Sequence, residues 1–161
     1  CPTEAESCVT TEKKAGRTDY ICGHVHDENA HFLGGVSGNA GLFCPLDDVI
    51  LYAQMLSRRA EGYISRELFE LAVRDLTPFD TDESRGLGFH LYRDGTYPGG
   101  SCMSRGSYGH TGYTGTTLYV DAESQMFCLM LTNRVHPTRE NTKLMRFRRA
   151  FHNAAYSAAI R

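Results

Sequence analysis

Long apolar runs are missing from this sequence. The longest, residues 126–131, is far shorter than the about 20 residues that span a bilayer. An excess of one charge is also missing, because 17 Lys and Arg face 19 Asp and Glu for a net charge of −2. That balance gives no general reason to expect nucleic acid as a partner. None of the six cysteines forms a C-x-x-C pair, and an even count in a chain of this length does not establish disulfides.

The composition is that of an ordinary globular domain. The chain has 161 residues, 41% hydrophobic and 22% charged, which excludes disordered, collagen-like and disulfide-scaffold classes. From residue 134 onward, seven basic residues face one acidic residue, and we interpret this bias as the solvated face of a helix. The sequence opens at Cys1 without the segments of a signal peptide. We expect a processed N-terminus or a piece of a longer protein, with a lipidated leading cysteine as the alternative.

Hydrophobic spacing predicts helices at 46–60, 65–76 and 141–159. The buried stripes predicted for the last two helices are Leu68, Leu71, Ala72 and Leu76, then Leu144, Phe147, Phe151, Ala154 and Ala158. Alternation predicts a strand at 87–92, and the runs 116–120 and 126–132, joined by a short polar link, predict a hairpin. Cys128, inside the last run, is predicted to be a small buried hydrophobe. Strands joined by hairpins indicate an α+β fold with an antiparallel sheet flanked by helices.

Three histidines crowd one polar segment, His24, His26 and His31, with Asp27 and Glu28 between them. Imidazole and carboxylate are good zinc ligands. The spacing nevertheless matches neither H-x-H-x-D-H nor H-E-x-x-H. We interpret the segment as a structured polar loop, and a zinc hydrolase using the three histidines is the alternative.

The motifs of an activated serine are absent. The sequence has no G-x-S-x-G elbow and no S-x-x-K, in which a lysine one helical turn after a serine takes its proton. Thr10 with Lys13 spells T-x-x-K, but the surrounding stretch has no helical core face. We interpret that pair as surface. The chain alone therefore has no candidate nucleophile.

A binding motif is present at His110, Thr111 and Gly112. A polar or cationic side chain, a hydroxyl and a glycine at a strand suit a substrate carboxylate, because glycine lets a ligand approach the backbone closely. A three-residue motif is weak on its own.

Three segments together resemble the C-terminal half of the serine β-lactamase and penicillin-binding-protein-like hydrolases. They are residues 1–4 with 23–43, the helix 47–56, and residues 108–116 running on through 131–137. The resemblance implies a β-lactamase/transpeptidase-like fold and hydrolysis through an acyl-enzyme. It also implies that His110, Thr111 and Gly112 form the K-T-G or H-T-G wall that binds substrate, and that the backbone N–H of Tyr113 is one of two oxyanion-hole donors.

The sequence departs from the family pattern in ways that limit this chain. S-x-x-K and Y-x-N are absent, and Ser37-Gly38-Asn39 spells S-x-N only inside the glycine-rich segment, where we interpret it as structural. We therefore predict one partial domain, 1–161, that supplies one wall of the site, has no catalytic residue of its own and is inactive alone. A lone C-terminal half would expose a sheet edge and an apolar sheet face.

The same resemblance sets expectations for ligands and location. The expected substrate is a β-lactam, a peptidoglycan stem peptide or an ester, with no cofactor, no metal and no nucleic acid. The expected partner is the missing N-terminal half. A bacterial cell envelope, periplasmic or secreted location is implied, and a cytoplasmic one stays open. A non-catalytic binding or scaffold domain that kept the fold is the alternative function.

Overall fold

Helices and short strands alternate along the part of the chain that the computed structural model describes, residues 7–13, 16, 18–78 and 81–160. The helices are α1 Glu28–Phe32, α2 Leu46–Ser57, α3 Arg66–Ala72 and α4 Lys143–Ala159. The strands are β1 Ser84–Arg85, β2 His90–Leu91, β3 Tyr108–Thr111, β4 Thr117–Val120 and β5 Phe127–Met130.

The five strands form one antiparallel sheet in chain order, β1-β2-β3-β4-β5. Tyr108 pairs with Val120 across β3 and β4, and Val120 pairs with Phe127 across the hairpin. The α+β prediction and the hairpin are confirmed. β3 is the middle strand: β2 pairs with Tyr108 and Gly109, and the end of β3 that carries the motif pairs with β4 alone.

Two apolar clusters cover the two faces of this sheet. Leu56, Ala60 and Phe69, from α2, α3 and the turn between them, pack on Tyr108 and Val120. In the second cluster, Tyr119 and Cys128 of the sheet pack with Phe151 and Tyr156 of α4. Burial raises the pKa of the Cys128 thiol to about 11, so Cys128 is the buried apolar group that the sequence predicts.

Two helices present a different face from the predicted one. On α3 the buried residue is Phe69, whereas Leu68 is half exposed. On α4 the buried residues are Arg148 and His152, and Phe147 is exposed. The buried face of α4 is polar because Nε2 of His152 lies 2.8 Å from Oγ1 of Thr117 on β4, a contact that hydrophobic spacing does not indicate.

The predicted element bounds need correction at several places. The helix predicted at 46–60 ends at Ser57, because Arg59 and Ala60 take positive φ values of 57° and 52°. The helix predicted at 65–76 ends at Ala72, whose carbonyl accepts from Leu87 N over 2.8 Å, and Leu76 N then donates to Arg85 O of β1 over 2.8 Å. The strand predicted at 87–92 shortens to His90–Leu91, and α1 and β1, five and two residues long, were not predicted.

Exposed apolar side chains gather between α1 and α2. Phe32 is 92% exposed, Val36 89% and Leu42 86%. Within the described ranges, β1 pairs only with β2 and β5 only with β4, so both are edge strands of the sheet. The exposed apolar groups, however, lie mainly on the glycine-rich segment and α2 rather than on the sheet. No helix among the described residues is long and apolar enough to cross a membrane.

Two phenylalanines test this account of the core. We expect Phe69→Ala to lower the free energy of unfolding by about 3–5 kcal/mol, because Phe69 is 2% exposed and its removal leaves a cavity. Phe32→Ala, the matched change at an exposed side chain, should stay within about 0.5 kcal/mol. Urea unfolding of the two variants measures both. Equal losses would contradict the assignment of the core.

Candidate active site

The predicted motif lies at the end of the middle strand. His110 and Thr111 are the last residues of β3, paired with Leu118 and Thr117 of β4. The preceding Gly109 allows this close pairing, because a Cβ there would overlap the Leu118 carbonyl and the Tyr119 side chain. The motif side chains are thus attached to backbone that is paired with β4.

His110 has three neighbours of different kinds. Its Nε2 lies 3.2 Å from Nη1 of Arg85, and its Nδ1 lies 2.7 Å from the carbonyl oxygen of Thr111. Its ring centroid is 4.1 Å from that of His90. The His110 side chain itself is exposed, so a ligand can reach it.

His90 supports His110 from the interior. It is 8% exposed, and its Nδ1 lies 3.1 Å from the hydroxyl of Tyr119. Burial, and then the neighbouring His110 and Arg85, lower the pKa of His90 to about 4. At neutral pH His90 is therefore uncharged.

The chain turns sharply after Thr111. Gly112 N donates to Thr116 O over 2.7 Å, and Gly115 N donates to Gly112 O over 3.1 Å. A Cβ at Gly112 would overlap Oγ1 of Thr116, so glycine is needed here for the turn itself. The turn leaves the N–H of Tyr113 without an acceptor among the described residues.

The rest of Tyr113 is held from two sides. Its carbonyl oxygen accepts a hydrogen bond from Nε of Arg134 over 2.8 Å, and the Arg134 Cζ lies 4.5 Å from the ring centroid. The His26 ring stacks on the Tyr113 ring, with a centroid distance of 5.7 Å and an interplanar angle of 20°. The N–H is thereby fixed while it stays available.

A buried carboxylate connects these supports. Glu12, 5% exposed, accepts from His26 Nε2 over 2.9 Å and from the backbone N of Arg139 over 2.9 Å. The Arg139 guanidinium bridges Glu12 and Glu28. Burial raises the pKa of Glu12, but the hydrogen bonds from Arg139 and His26 outweigh it and hold that pKa below its ordinary 4.5.

The histidine-rich segment is part of this support. His26 contacts Glu12 and Tyr113, whereas His31 lies on α1 and His24 is exposed. Within residues 7–13, 16, 18–78 and 81–160, no three His, Cys, Asp or Glu side chains are grouped so that they could hold a metal ion. The structure thus gives no support to the zinc alternative.

The other two candidate motifs have local contacts. Ser37 Oγ lies 2.5 Å from Oδ1 of Asn39, and Nδ2 of Asn39 donates to Oδ1 of Asp27, the N-cap of α1. This supports the structural interpretation of Ser37-Gly38-Asn39. The ammonium of Lys13 lies 4.9 Å from the centre of the Tyr20 ring, an aromatic contact on the polar N-terminal stretch.

The family model described as "Beta-lactamase" matches residues 4–152. The chain belongs to the beta-lactamase family. This confirms the resemblance seen in the three sequence segments and places His110, Thr111 and Tyr113 inside the matched region.

Curated relatives of this beta-lactamase-family chain come from bacteria. A putative D-alanyl-D-alanine carboxypeptidase of Escherichia coli K12 is 37% identical over 74% of this chain and 29% of the relative. An N-acetylmuramyl-L-alanine amidase of Bacillus subtilis 168 is 36% identical over 74% of this chain and 28% of the relative. The chain thus spans about three tenths of the length of these relatives.

A solved structure supports the fold. The crystal structure of a beta-lactamase from Mycobacterium bovis has a TM-score of 0.60 and 20% identity, and it covers 74% of this chain and 46% of that one. At this identity the likeness extends to the fold, and the β-lactamase-like fold prediction is confirmed.

Sequence reasoning missed Arg85, Glu12, Arg134 and Arg139. Their partners lie far away in the chain: Arg85 contacts His110 25 residues later, Arg134 contacts Tyr113 21 residues earlier, and Glu12 contacts Arg139 127 residues later. No local spacing marks such pairs. In sequence these four residues are visible only as charged residues between apolar ones. Charged residues in such positions are usually solvent-exposed, so this pattern does not indicate a role in the site.

Glu12 gives a pH-dependent prediction. We expect Glu12→Gln to lower the free energy of unfolding at pH 7 by about 1.5–3 kcal/mol, the range for hydrogen bonds to a charged group. Because the folded-state pKa of Glu12 is lowered, its stabilisation is complete above pH 4.5 and is lost as the pH falls below that value. The difference between parent and variant should therefore narrow in acid. Urea titrations from pH 3 to pH 7 measure it.

Glu70→Gln is the matched control. Glu70 pairs with Arg66 on the surface of α3, with side chains 47% and 78% exposed. Exposed pairs of this kind contribute little, so no measurable change is expected at any pH. A pH-independent loss at Glu12, or an equal loss at Glu70, would contradict the assignment.

Proposed function

We propose that this chain forms one wall of the active site of a serine acyl hydrolase in the β-lactamase, D-Ala-D-Ala carboxypeptidase and esterase-like group. The observation that carries the proposal is the turn after β3. Its Tyr113 N–H has no acceptor in the described part of the chain, while the carbonyl and ring of the same residue are held by Arg134 and His26. A fixed and unoccupied donor beside an exposed polar motif is what a developing oxyanion requires.

The roles follow from position. The Thr111 hydroxyl and His110, with the close backbone approach at Gly112, bind the substrate. The Tyr113 N–H donates to the carbonyl oxygen as it becomes negatively charged during attack. A donor of this kind contributes about 10²–10³ in rate, because it is already oriented before the charge develops.

The nucleophile comes from outside this chain. Acylation needs a serine whose proton is taken by a neighbouring base, and the sequence holds no S-x-x-K. The second oxyanion donor is the backbone N–H of that serine. We infer that the missing N-terminal half supplies both, which makes it the partner of this chain.

The substrate class and location rest on the relatives. The carboxypeptidase and amidase names of the relatives favour a peptidoglycan stem peptide, and a β-lactam or an ester fits the same acyl chemistry. We propose a bacterial envelope, periplasmic or secreted location on the same grounds.

Intact mass spectrometry tests whether the nucleophile lies outside this chain. The 161-residue chain incubated with a fluorescent penicillin or a chromogenic ester should give no covalent adduct, since nothing in it can be acylated. With the upstream coding segment added back, one acyl group should appear on a serine of that segment.

Two outcomes would contradict the proposal, and each has a different meaning. A stable adduct on any serine or threonine of this chain would show that the site is complete without a partner. No adduct in either form would favour a binding or scaffold domain that kept the fold without the chemistry.

A further inference from the structure

Arg148, in the first half of α4, is a buried cation that lacks an anion. The residue is 7% exposed, and its Nε is buried with no hydrogen-bond partner among the described residues. Within the same ranges its guanidinium has one polar contact, from Nη1 to the sulfur of Met145 at 4.0 Å, and a thioether sulfur is a weak acceptor. A guanidinium keeps its charge in proteins, and a buried charge without a partner is strongly unfavourable.

The groups that act on Arg148 include no carboxylate. Burial lowers the pKa of its guanidinium, Tyr119 opposes this shift and Arg134 adds to it. His152, one turn later on α4, is neutral at pH 7, because burial and then Arg148 lower its pKa to about 4. The part of the chain that the structure describes therefore holds no group that neutralises Arg148.

Arg134 shows how the same fold satisfies another buried arginine. It is 6% exposed, but its Nε and Nη1 donate to three carbonyl oxygens, those of Tyr113, Arg139 and Asn141. The lack of partners at Arg148 is therefore particular to that position and is not shared by the buried arginine nearby.

The surface next to Arg148 is cationic and partly apolar. A cleft of about 410 Å³ lies at the start of α4, and it is lined by Arg134, Lys143, Leu144 and Phe147, with Thr132, Asn133 and Asn141, and by no Asp or Glu. Leu144 lies one turn before Arg148 on the same side of the helix, and Phe147 is exposed. Such a surface fits an acidic partner with apolar side chains, whereas a second copy that presents the same face would bring like charges together.

We propose that Arg148 forms an ion pair with a carboxylate of the missing N-terminal half, and that the cleft beside it is part of the surface on which that half docks. The inference rests on the proposed function, which takes that half as the partner of this chain, and it adds the contact that joins the two. The chain matches 29% and 28% of the length of its curated relatives, so most of their length lies outside it. Met145 is exposed and flexible, and its rotation away from Nη1 opens the guanidinium to two parallel hydrogen bonds with a carboxylate.

Replacement of Arg148 by methionine tests the ion pair through a change of sign. In the 161-residue chain, Arg148→Met should raise the urea midpoint by about 0.5 M or more, because it removes a buried charge that has no partner. In the gene product that carries the upstream half, the same change leaves the partner carboxylate buried alone, so the urea midpoint should fall. A rise in both forms would show that Arg148 stays unpaired, and a fall in both would show that its partner lies within the 161 residues. Either result would overturn the proposal.

Two other arginines serve as controls. Arg146 is exposed on the same helix, so Arg146→Met should leave both urea midpoints unchanged. Arg134→Met removes a buried arginine whose donors are bonded to carbonyls, so it should lower both midpoints. Equal shifts in Arg146→Met and Arg148→Met would show a general effect of net charge and overturn the assignment to Arg148.

A carbodiimide cross-link identifies the partner carboxylate, and it also decides the case if Arg148→Met prevents the longer gene product from folding. Arg148→Lys keeps the positive charge and supplies a primary amine. Carbodiimide joins that amine to a carboxylate in contact with it as an amide, and the reagent takes up the water that is released. Peptide mass spectrometry of the longer gene product should place the link on an Asp or Glu of the upstream half. A link to an Asp or Glu of this chain or of a second copy, or no link in the folded variant, would overturn the proposal.

Failure of the proposed function gives a different pattern. If the longer gene product forms no acyl adduct with any substrate, the proposed function fails, and the two urea midpoints still decide whether Arg148 is paired. If the longer product forms the adduct and Arg148→Met raises the midpoint of both forms, the inference about Arg148 fails alone.

Discussion

The buried guanidinium of Arg134 is the contact on which the arrangement around Tyr113 depends. Its Nε donates to the carbonyl of Tyr113, and its Nη1 donates to the carbonyls of Arg139 and Asn141 over 2.9 and 3.0 Å. Arg134 is 6% exposed, and a buried cation is tolerated only where its donors are satisfied. The turn after β3 and the segment before α4 must therefore stay together, because separating them would leave the guanidinium without partners.

The hydrogen bonds of Arg134 continue into a second set of polar contacts, made by Arg139, Glu12 and His26. Arg139, whose carbonyl Arg134 holds, also bonds to Glu12, and Glu12 bonds to His26, which stacks on Tyr113. The contacts thus form a closed circuit that returns to the Tyr113 ring. A satisfied set of this kind specifies one geometry, because each group loses a partner if any member moves. The hydrogen bonds and the His26 stack together hold the backbone of Tyr113 in place.

Hydrophobic spacing along the chain was sufficient to predict the elements whose buried residues are apolar and close together in sequence. The hairpin of β4 and β5 was predicted because its apolar run and polar link are contiguous, and α2 because Val49, Ala53 and Leu56 recur at helical spacing. The buried face of α4 was missed because it carries Arg148 and His152, which hydrophobic spacing does not count, and His152 contacts Thr117 of the distant β4. β1 was missed because two residues carry no periodicity, although Arg85 lies on it.

The candidate site divides in the same way. His110, Thr111, Gly112 and Tyr113 are contiguous, so a motif could indicate them. Arg85, Glu12 and Arg134 act through contacts that the fold alone brings together. Sequence therefore indicated the contiguous motif at the end of β3, and tertiary structure was needed to show the distant groups that contact it and Tyr113.

The most direct test of the account is to remove the Tyr113 N–H. Proline lacks this donor, so Tyr113→Pro in the gene product that carries the upstream half should lower kcat for acyl transfer about 10²–10³-fold. Tyr113→Ala keeps the N–H and the carbonyl bonded to Arg134 and loses the ring contacts, so its kcat should fall by less than that of Tyr113→Pro. Urea unfolding of both variants checks that the fold persists. A folded Tyr113→Pro variant as active as Tyr113→Ala would contradict the assignment of this N–H to the oxyanion.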